Sequence, residues 1–239
     1  GNVLLEQRRF EDAISSYKNA LRLKPDYADV YYNMGNAFKA NYKLNEAISC
    51  YEKTVQLRPD YVNAYYNMGI SLQDLGKLDE TISCYQKVLQ LKPDYVGAHN
   101  NIGNAYKNQG KPNEALTYYH QAIQVNPDDA GAYVNMGNLY RDQSKLSEAV
   151  SCYQKAIQIE PDPGVEVKIA MLLPAICESK ESIKLCRIKL IEQIESLKNR
   201  GLALEDPHRQ VGYTNFYFAY HGLNDIEIQK QISSFYIKA

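Results

Sequence analysis

The chain has no tryptophan and no excess of either charge among its 239 residues. Lysine and arginine number 27 against 28 aspartates and glutamates, so no whole-chain field attracts nucleic acid or an anionic membrane. No apolar run approaches the roughly 20 residues that cross a bilayer, and no signal-peptide pattern is found. We therefore expect a cytoplasmic protein with no nucleic-acid or membrane partner, which recognises its partners through local surfaces.

Tyrosine, by contrast, is abundant, with 21 residues, and it recurs together with proline and glycine at intervals of 34 residues. A 34-residue unit with Tyr-x-x-Met-Gly early, alanine in the middle and proline late is typical of the tetratricopeptide repeat, a helix-turn-helix unit. On this pattern residues 1–163 are identified as a member of that family. The three series are Tyr17, Tyr51, Tyr85, Tyr119 and Tyr153; Pro25, Pro59, Pro93, Pro127 and Pro161; and Gly1, Gly35, Gly69, Gly103 and Gly137.

The resemblance implies an all-α fold, in which stacked helix pairs form a right-handed superhelix or α-solenoid. The first helix of each pair, helix A, is expected to line the concave side, and the second is helix B. We expect a partial repeat at residues 1–27, followed by full repeats at 28–61, 62–95, 96–129 and 130–163. Residues 164–239 keep helical patterns without the repeat. They are expected to form a helical capping and adaptor region that leads to a further C-terminal module.

Helix boundaries follow from the repeat pattern. In the second full repeat, helix A is predicted at about residues 63–75 and helix B at about residues 79–91, with a tight turn at Gly76 and Lys77. Polar residues with short side chains satisfy the first free N–H groups of a helix. The residues predicted to cap the B helices in this way are Asn45, Asp79, Asn113 and Ser147.

The interior is also predicted from the repeat. A glycine within a helix costs about 1 kcal/mol relative to alanine, so the mid-helix glycines indicate close contact with helix B. Four aromatic residues stand where many family members carry tryptophan, and we interpret them as core. They are Tyr31, Tyr65, His99 and Tyr133.

Cysteine and histidine show no pattern that predicts chemistry. Cys50, Cys84 and Cys152 share one repeat position, so they should lie too far apart to form disulfides. The five cysteines and four histidines have no spacing typical of a metal site or a catalytic triad. We therefore expect reduced thiols, no catalytic residue and no cofactor in this chain.

Helix A carries a polar series that predicts a binding surface. Asparagine is a weak helix former, and its amide offers donors and an acceptor to the backbone of a peptide, whatever the side chains of that peptide. We predict a peptide-binding site on helix A with protein or peptide partners. Its members are Asn33, Asn67, Asn101 and Asn135; one turn further Asn36, Asn104 and Asn138, with Ile70 interrupting; and beyond them Lys39, Gln73, Lys107 and Arg141.

The first asparagine series resembles the asparagine row in the superhelix of O-GlcNAc transferase, which there holds extended substrate protein. Two other interpretations remain. The asparagines could bond between adjacent repeats, or simply be copies from repeat duplication. A carboxylate clamp, in which lysine and arginine grip a C-terminal carboxylate, is disfavoured because no basic cluster precedes the asparagines.

The tail carries a second resemblance. The segments Met-Leu-Leu-Pro-Ala-Ile at 171–176 and Asp-Pro-His-Arg-Gln-Val-Gly-Tyr-Thr-Asn-Phe-Tyr-Phe-Ala-Tyr-His-Gly-Leu-Asn-Asp at 206–225 look like the join between repeats and catalytic region in SPINDLY-type glycosyltransferases similar to O-GlcNAc transferase. This implies that the chain is the substrate-recognition arm of a longer protein glycosyltransferase. The sugar nucleotide of that parent, such as UDP-GlcNAc, would bind elsewhere, because no glycine-rich phosphate turn occurs here.

Two alternatives to the glycosyltransferase arm stay open. The first is a free-standing scaffold that assembles proteins without a catalytic module. The second is that residues 213–221 form part of an active site, although no nucleophile, paired carboxylate or anion-binding loop accompanies them. The acceptor proteins, the sugar donor and the oligomeric state are not indicated by the sequence.

Overall fold

A computed structural model describes residues 1–170, residue 172 and residues 180–200. Every regular element in this part of the chain is an α-helix, as predicted. The helices fall into two compact units, residues 1–127 and 128–239. Unit 1 contains α1 (Asn2–Glu6), α2 (Phe10–Leu23), α3 (Ala28–Ala40), α4 (Leu44–Leu57), α5 (Val62–Asp74), α6 (Leu78–Leu91), α7 (Val96–Asn108) and α8 (Pro112–Val125). Unit 2 contains α9 (Ala130–Asp142), α10 (Leu146–Ile159), α11 (Pro163–Ala170) and α12 (Lys180–Asn199).

The odd-numbered helices from α3 to α9 are the A helices of the repeats, and each packs against the B helix that follows it. The bounds of α5 and α6 lie within one residue of those predicted. No helix of the described ranges is both long and apolar enough to pass through a membrane.

Each A helix ends in one residue with a left-handed backbone. The value of φ is +73° at Gly76 and +72° at Gly110, and the same position is occupied by Arg8, Tyr42 and Ser144 with φ between 56° and 60°. In the best example, the N–H of Lys77 donates to the carbonyl of Leu72, at 2.9 Å, and so closes helix α5. This turn brings the chain directly into the next helix.

The predicted caps of the B helices are wrong by two positions. The capping position is occupied by a lysine in each full repeat, and none of these lysines makes a side-chain cap bond. Because the turn is tight, the helix starts directly after the lysine, and Asp79 lies in its first turn instead. There its carboxylate still has favourable interactions with the helix dipole. The lysines are Lys43, Lys77, Lys111 and Lys145.

The mid-helix glycines lie close to helix B, as predicted, and the side chains that they contact there are the repeat tyrosines. A Cβ atom at Gly69 would lie 2.7 Å from Cε1 of Tyr85, and one at Gly103 would lie 2.4 Å from Cε1 of Tyr119. Both tyrosine side chains are completely buried. The close approach of helix A to the ring therefore explains why glycine is retained within the helix.

Unit 2 extends the fourth full repeat with two further helices. The core of this unit joins Ala149 and Tyr153 of α10 to Val165 of α11. Helix α12 packs on α11, and its Ile194 and Leu197 are buried. Because α11 continues the packing of the last repeat, the compact unit crosses residue 163, where the repeat pattern ends.

Candidate functional site

The two asparagine series lie on the A helices, three residues apart, which places their side chains on one face of each helix. Unit 1 carries the members on α3, α5 and α7, and unit 2 carries those on α9. All these side chains are partly exposed. Their hydrogen bonds determine which atoms of each amide remain available.

Asn67 is held between adjacent repeats. Its Oδ1 accepts a 3.1 Å bond from Nζ of Lys39, and its Nδ2 donates to Oδ1 of Asn36 and to the hydroxyl of Tyr32, each at 3.0 Å. An ammonium group can only donate, so Lys39 fixes which end of the Asn67 amide is the oxygen. Both donors of Asn67 are therefore used within the protein. For this residue the structure shows the inter-repeat bonding that the sequence left as an alternative.

The second asparagine series is oriented by the buried tyrosines. The hydroxyl of Tyr51 donates to Oδ1 of Asn36 at 2.8 Å, and two further repeats show the same arrangement. In those repeats Tyr119 donates to Asn104 at 2.8 Å, and Tyr153 donates to Asn138 at 2.9 Å. The oxygen of each amide therefore points inward. The Nδ2 atoms have no partner in the described residues and are not completely buried, so the two N–H donors of each amide are unused.

The second full repeat interrupts this arrangement. Ile70 occupies the position of these asparagines, and the buried hydroxyl of Tyr85 has no hydrogen-bond partner. Burial raises the pKa of Tyr85. The nearby amide of Asn101 lowers this pKa in part, although it is not close enough in geometry to count as a hydrogen-bond partner of the hydroxyl. The hydroxyl of Tyr85 therefore lacks an acceptor because isoleucine stands at position 70 in place of asparagine.

The other members of the first series differ from one another. Asn101 donates through Nδ2 to the hydroxyl of Tyr66, at 3.2 Å, which leaves its Oδ1 as a free acceptor. Asn33 and Asn135 have no side-chain hydrogen bond within the part of the chain that the structure describes. The acceptor role of Tyr32 and Tyr66 was not predicted from the sequence. Their 34-residue spacing, one residue before the asparagines, is the signal that could have revealed it.

The charged members are only partly available. Burial lowers the pKa of Lys39, and the charge of Asp74 partly offsets this effect. Arg141 forms an ion pair with Asp142 at 2.6 Å. Gln73 and Lys107 make no side-chain bond to other described residues. The surface thus carries amide groups with a few cations, of which Lys39 and Arg141 have partners within the protein.

Within the described residues, no cluster of His, Cys, Asp or Glu side chains could hold a metal ion. Cys50, Cys84 and Cys152 are free thiols, and burial raises the pKa of Cys50 to about 12 and that of Cys84 to about 11. Such thiols are protonated at neutral pH and poorly nucleophilic. His99 is buried, with Nε2 3.1 Å from the carbonyl of Pro93. Burial thus keeps Cys50, Cys84 and His99 away from solvent.

The fold and this surface define a protein built from stacked helix hairpins. The family model for the TPR repeat matches residues 1–41, 43–76 and 71–110, and that for the tetratricopeptide repeat matches residues 96–129 and 130–163. The chain belongs to the tetratricopeptide repeat family.

Solved structures with a similar fold include MamA, YrrB and PilF from Pseudomonas aeruginosa. MamA is 26% identical with a TM-score of 0.63, covering 67% of this chain and 94% of its own. YrrB is 20% identical with a TM-score of 0.56, covering 77% and 91%. PilF is 18% identical with a TM-score of 0.64, covering 83% and 87%. A search of curated proteins found no significant match.

Proposed function

We propose that this protein is a scaffold that binds extended polypeptide segments through the amide groups of its A helices. The observation that carries the proposal is the orientation of Asn36, Asn104 and Asn138. Their oxygens accept bonds from buried tyrosines, and their Nδ2 groups remain accessible without a partner. A mid-helix asparagine that is held in one orientation and leaves two donors unused is suited to bind a carbonyl group.

The proposed contacts follow from the atoms that each amide leaves free. In unit 1, Asn36 and Asn104 would donate to backbone carbonyls of a bound segment, and Oδ1 of Asn101 would accept a backbone N–H. In unit 2, Asn138 would donate to a segment bound there in the same way. Such contacts involve groups present in every residue of a peptide. The amides would therefore hold the backbone, and neighbouring side chains would provide selectivity. Lys107 would add a positive charge on the same helix as Asn101 and Asn104 in unit 1.

Two findings from the comparisons support a protein-binding role. Membership of the tetratricopeptide repeat family agrees with protein–protein interaction, since stacked helical repeats create extended binding surfaces. YrrB is described as a TPR protein with an unusual peptide-binding site. Both agree with a scaffold, and neither requires a catalytic module.

The predicted link to a SPINDLY-type glycosyltransferase stays a prediction. The segments that suggest it are residues 171–176 and 206–225, and all of them except Leu172 lie outside the described residues. The same is true of residues 213–221, the alternative active-site segment. No observation in the described part of the chain favours a sugar-nucleotide site, so the scaffold is the function that we propose.

The experiment starts from a displayed library of random 12-residue peptides, because the natural partner is unidentified. A selected peptide is synthesised with a fluorescent label, and its Kd is measured by anisotropy. We expect Asn104→Asp to weaken binding at least tenfold. The carboxylate keeps an oxygen for Tyr119 but replaces the two outward donors with a negatively charged acceptor.

The matched control is Asn108→Asp, which makes the same charge change at an exposed position on the same helix. We expect this variant to retain the Kd within about twofold, because exposed charge changes contribute little at moderate salt. Equal Kd values for the two variants would show that Asn104 does not bind the peptide.

A further inference from the structure

An open cavity of about 530 Å³ lies in unit 2, between the start of α9, the end of α10 and the start of α11. Its apolar walls include Val134, Pro163 and Val165. Glu160 and Asp162 line it as well, together with Asn135 of the first asparagine series. The cavity therefore adjoins the face to which peptide binding is assigned.

Unit 1 has two positions that are equivalent to this cavity in the repeat, and both are filled by side chains. The rings of Tyr32 and Tyr61 pack with centroids 4.9 Å apart, and those of Tyr66 and Tyr95 do the same. These tyrosines precede Val134 and Pro163 by multiples of 34 residues. The cavity thus lies where two aromatic rings are replaced by smaller side chains.

A cation accompanies each tyrosine pair in unit 1. The guanidinium of Arg58 lies 4.8 Å from the ring centre of Tyr61, and the ammonium of Lys92 lies 5.5 Å from that of Tyr95. The corresponding residue in unit 2 is Glu160. The substitutions therefore remove both the rings and the positive charge, and they place a negative charge at the same position.

The acidic groups are available to a ligand. Glu160 is exposed and has no partner among the described residues. Asp162 accepts the N–H of Gly164 at 2.7 Å through Oδ1, which fixes its carboxylate at the start of α11. Its Oδ2 is left to accept a further bond. Two carboxylates beside apolar walls fit a long basic side chain, whose stem is apolar and whose head is charged.

We infer that this cavity binds an arginine side chain of a polypeptide held by the asparagines of α9. Arginine fits better than lysine because its planar guanidinium can take the place of a missing ring and can bond to carboxylates through several N–H groups. An aromatic side chain would fill the same space. However, it would lie beside Glu160 and would lack the cation that accompanies each tyrosine pair in unit 1. The inference rests on the proposed function, and it names the side chain that unit 2 selects.

The test is a titration of the whole protein, with ¹³C-labelled valine methyl groups, against the probe peptide acetyl-Ala-Arg-Ala-amide. We expect the resonances of Val134 and Val165 to shift and to saturate. Acetyl-Ala-citrulline-Ala-amide, which has nearly the same shape without the charge, should bind at least tenfold more weakly. Acetyl-Ala-Tyr-Ala-amide should bind no better than the citrulline probe.

The variants are taken from the chain's own repeats. Glu160→Lys introduces the residue that unit 1 has at position 92, and the double variant Val134→Tyr with Pro163→Tyr introduces the rings of positions 66 and 95. Each is expected to weaken the arginine probe at least tenfold. Circular dichroism checks that each variant is folded. If the double variant does not fold, the test relies on Glu160→Lys alone.

Equal binding of the arginine and citrulline probes, preference for the tyrosine probe, or no shift at Val134 and Val165 would overturn the inference. Unchanged affinity in the folded Glu160→Lys protein would overturn it as well. The proposed function is tested separately with a selected peptide that contains no arginine. If that peptide loses affinity in Asn104→Asp while the arginine probe fails, only the arginine cavity is wrong.

Discussion

The hydroxyl of Tyr51 donates a 2.8 Å hydrogen bond to Oδ1 of Asn36, and this bond joins the buried core of a repeat to the face of helix A that carries the asparagines. We expect Tyr51→Phe to lower the free energy of unfolding by about 1–2 kcal/mol, because a partly buried hydrogen bond is lost. The measurement is chemical denaturation followed by circular dichroism.

The control for this prediction is Tyr85→Phe. Both rings are completely buried, but the hydroxyl of Tyr85 has no hydrogen-bond partner because Ile70 stands in place of asparagine. We expect this variant to be neutral or more stable, since it removes a buried polar group that is not satisfied. An equal loss of stability in the two variants would contradict the assignment of the hydrogen bond.

The mid-helix glycines give a second prediction. We expect Gly69→Ala to destabilise the protein by about 1–3 kcal/mol, although alanine is the better helix former. Its Cβ would lie 2.7 Å from the buried ring of Tyr85. Gly131→Ala is the control, because there the nearest atom is the carboxylate Oδ1 of Asp129, at 3.2 Å. If Gly69→Ala were the more stable of the two in denaturation experiments, close packing would not explain the glycine.

The turn between helices A and B gives a third prediction. Tyr42 has a φ of 56° and is 91% exposed, and the equivalent positions in the next two repeats are Gly76 and Gly110. We expect Tyr42→Gly to stabilise the protein by about 0.5–1 kcal/mol, because glycine adopts the left-handed backbone without steric cost. Gly76→Ala should have the opposite effect. Thermal unfolding of both variants provides the measurement, and a lower Tm for Tyr42→Gly would count against it.

The buried cysteines give a fourth prediction. Burial raises the pKa of Cys50 to about 12 and that of Cys84 to about 11, so both remain protonated at pH 8. Since only the thiolate reacts, we expect iodoacetamide to modify them on the order of 100-fold more slowly in the folded protein than in guanidinium. Mass spectrometry of digested peptides separates these sites from the other cysteines. Rapid modification of Cys50 in the folded protein would contradict its burial.

The repeat architecture could be predicted from the sequence because the signals recur. Three residue types at 34-residue intervals fix the helix pairs, and the predicted close approach of Gly69 to helix B is confirmed. The helix caps could not be predicted in this way. A polar residue near a helix start resembles a cap in sequence, whereas the tight turn with its left-handed residue moves the start to the position after Lys77.

The residues of the proposed binding face could be predicted from the sequence. The donor and acceptor atoms that each of them leaves unused could not. The first asparagine series received the main peptide-binding role from the sequence, yet Asn67 uses both of its donors within the protein. The second series is the one that presents donors, and this depends on tyrosine hydroxyls contributed by another helix. Likewise, the cavity in unit 2 becomes visible only when Val134 and Pro163 are compared with the tyrosine pairs that fill the same place in unit 1.

The most direct test of the account is a ¹⁵N NMR titration that observes the side-chain amide groups of Asn36, Asn104 and Asn138 while the selected peptide is added. If these amides donate to backbone carbonyls, the NH₂ resonances in the unit that the peptide occupies will shift with the same Kd as the anisotropy signal, and their hydrogen exchange will slow. The exposed amide of Asn108 should be unaffected and serves as the internal reference. Saturating binding with unchanged NH₂ resonances at all three asparagines would contradict the proposal that these residues hold the peptide.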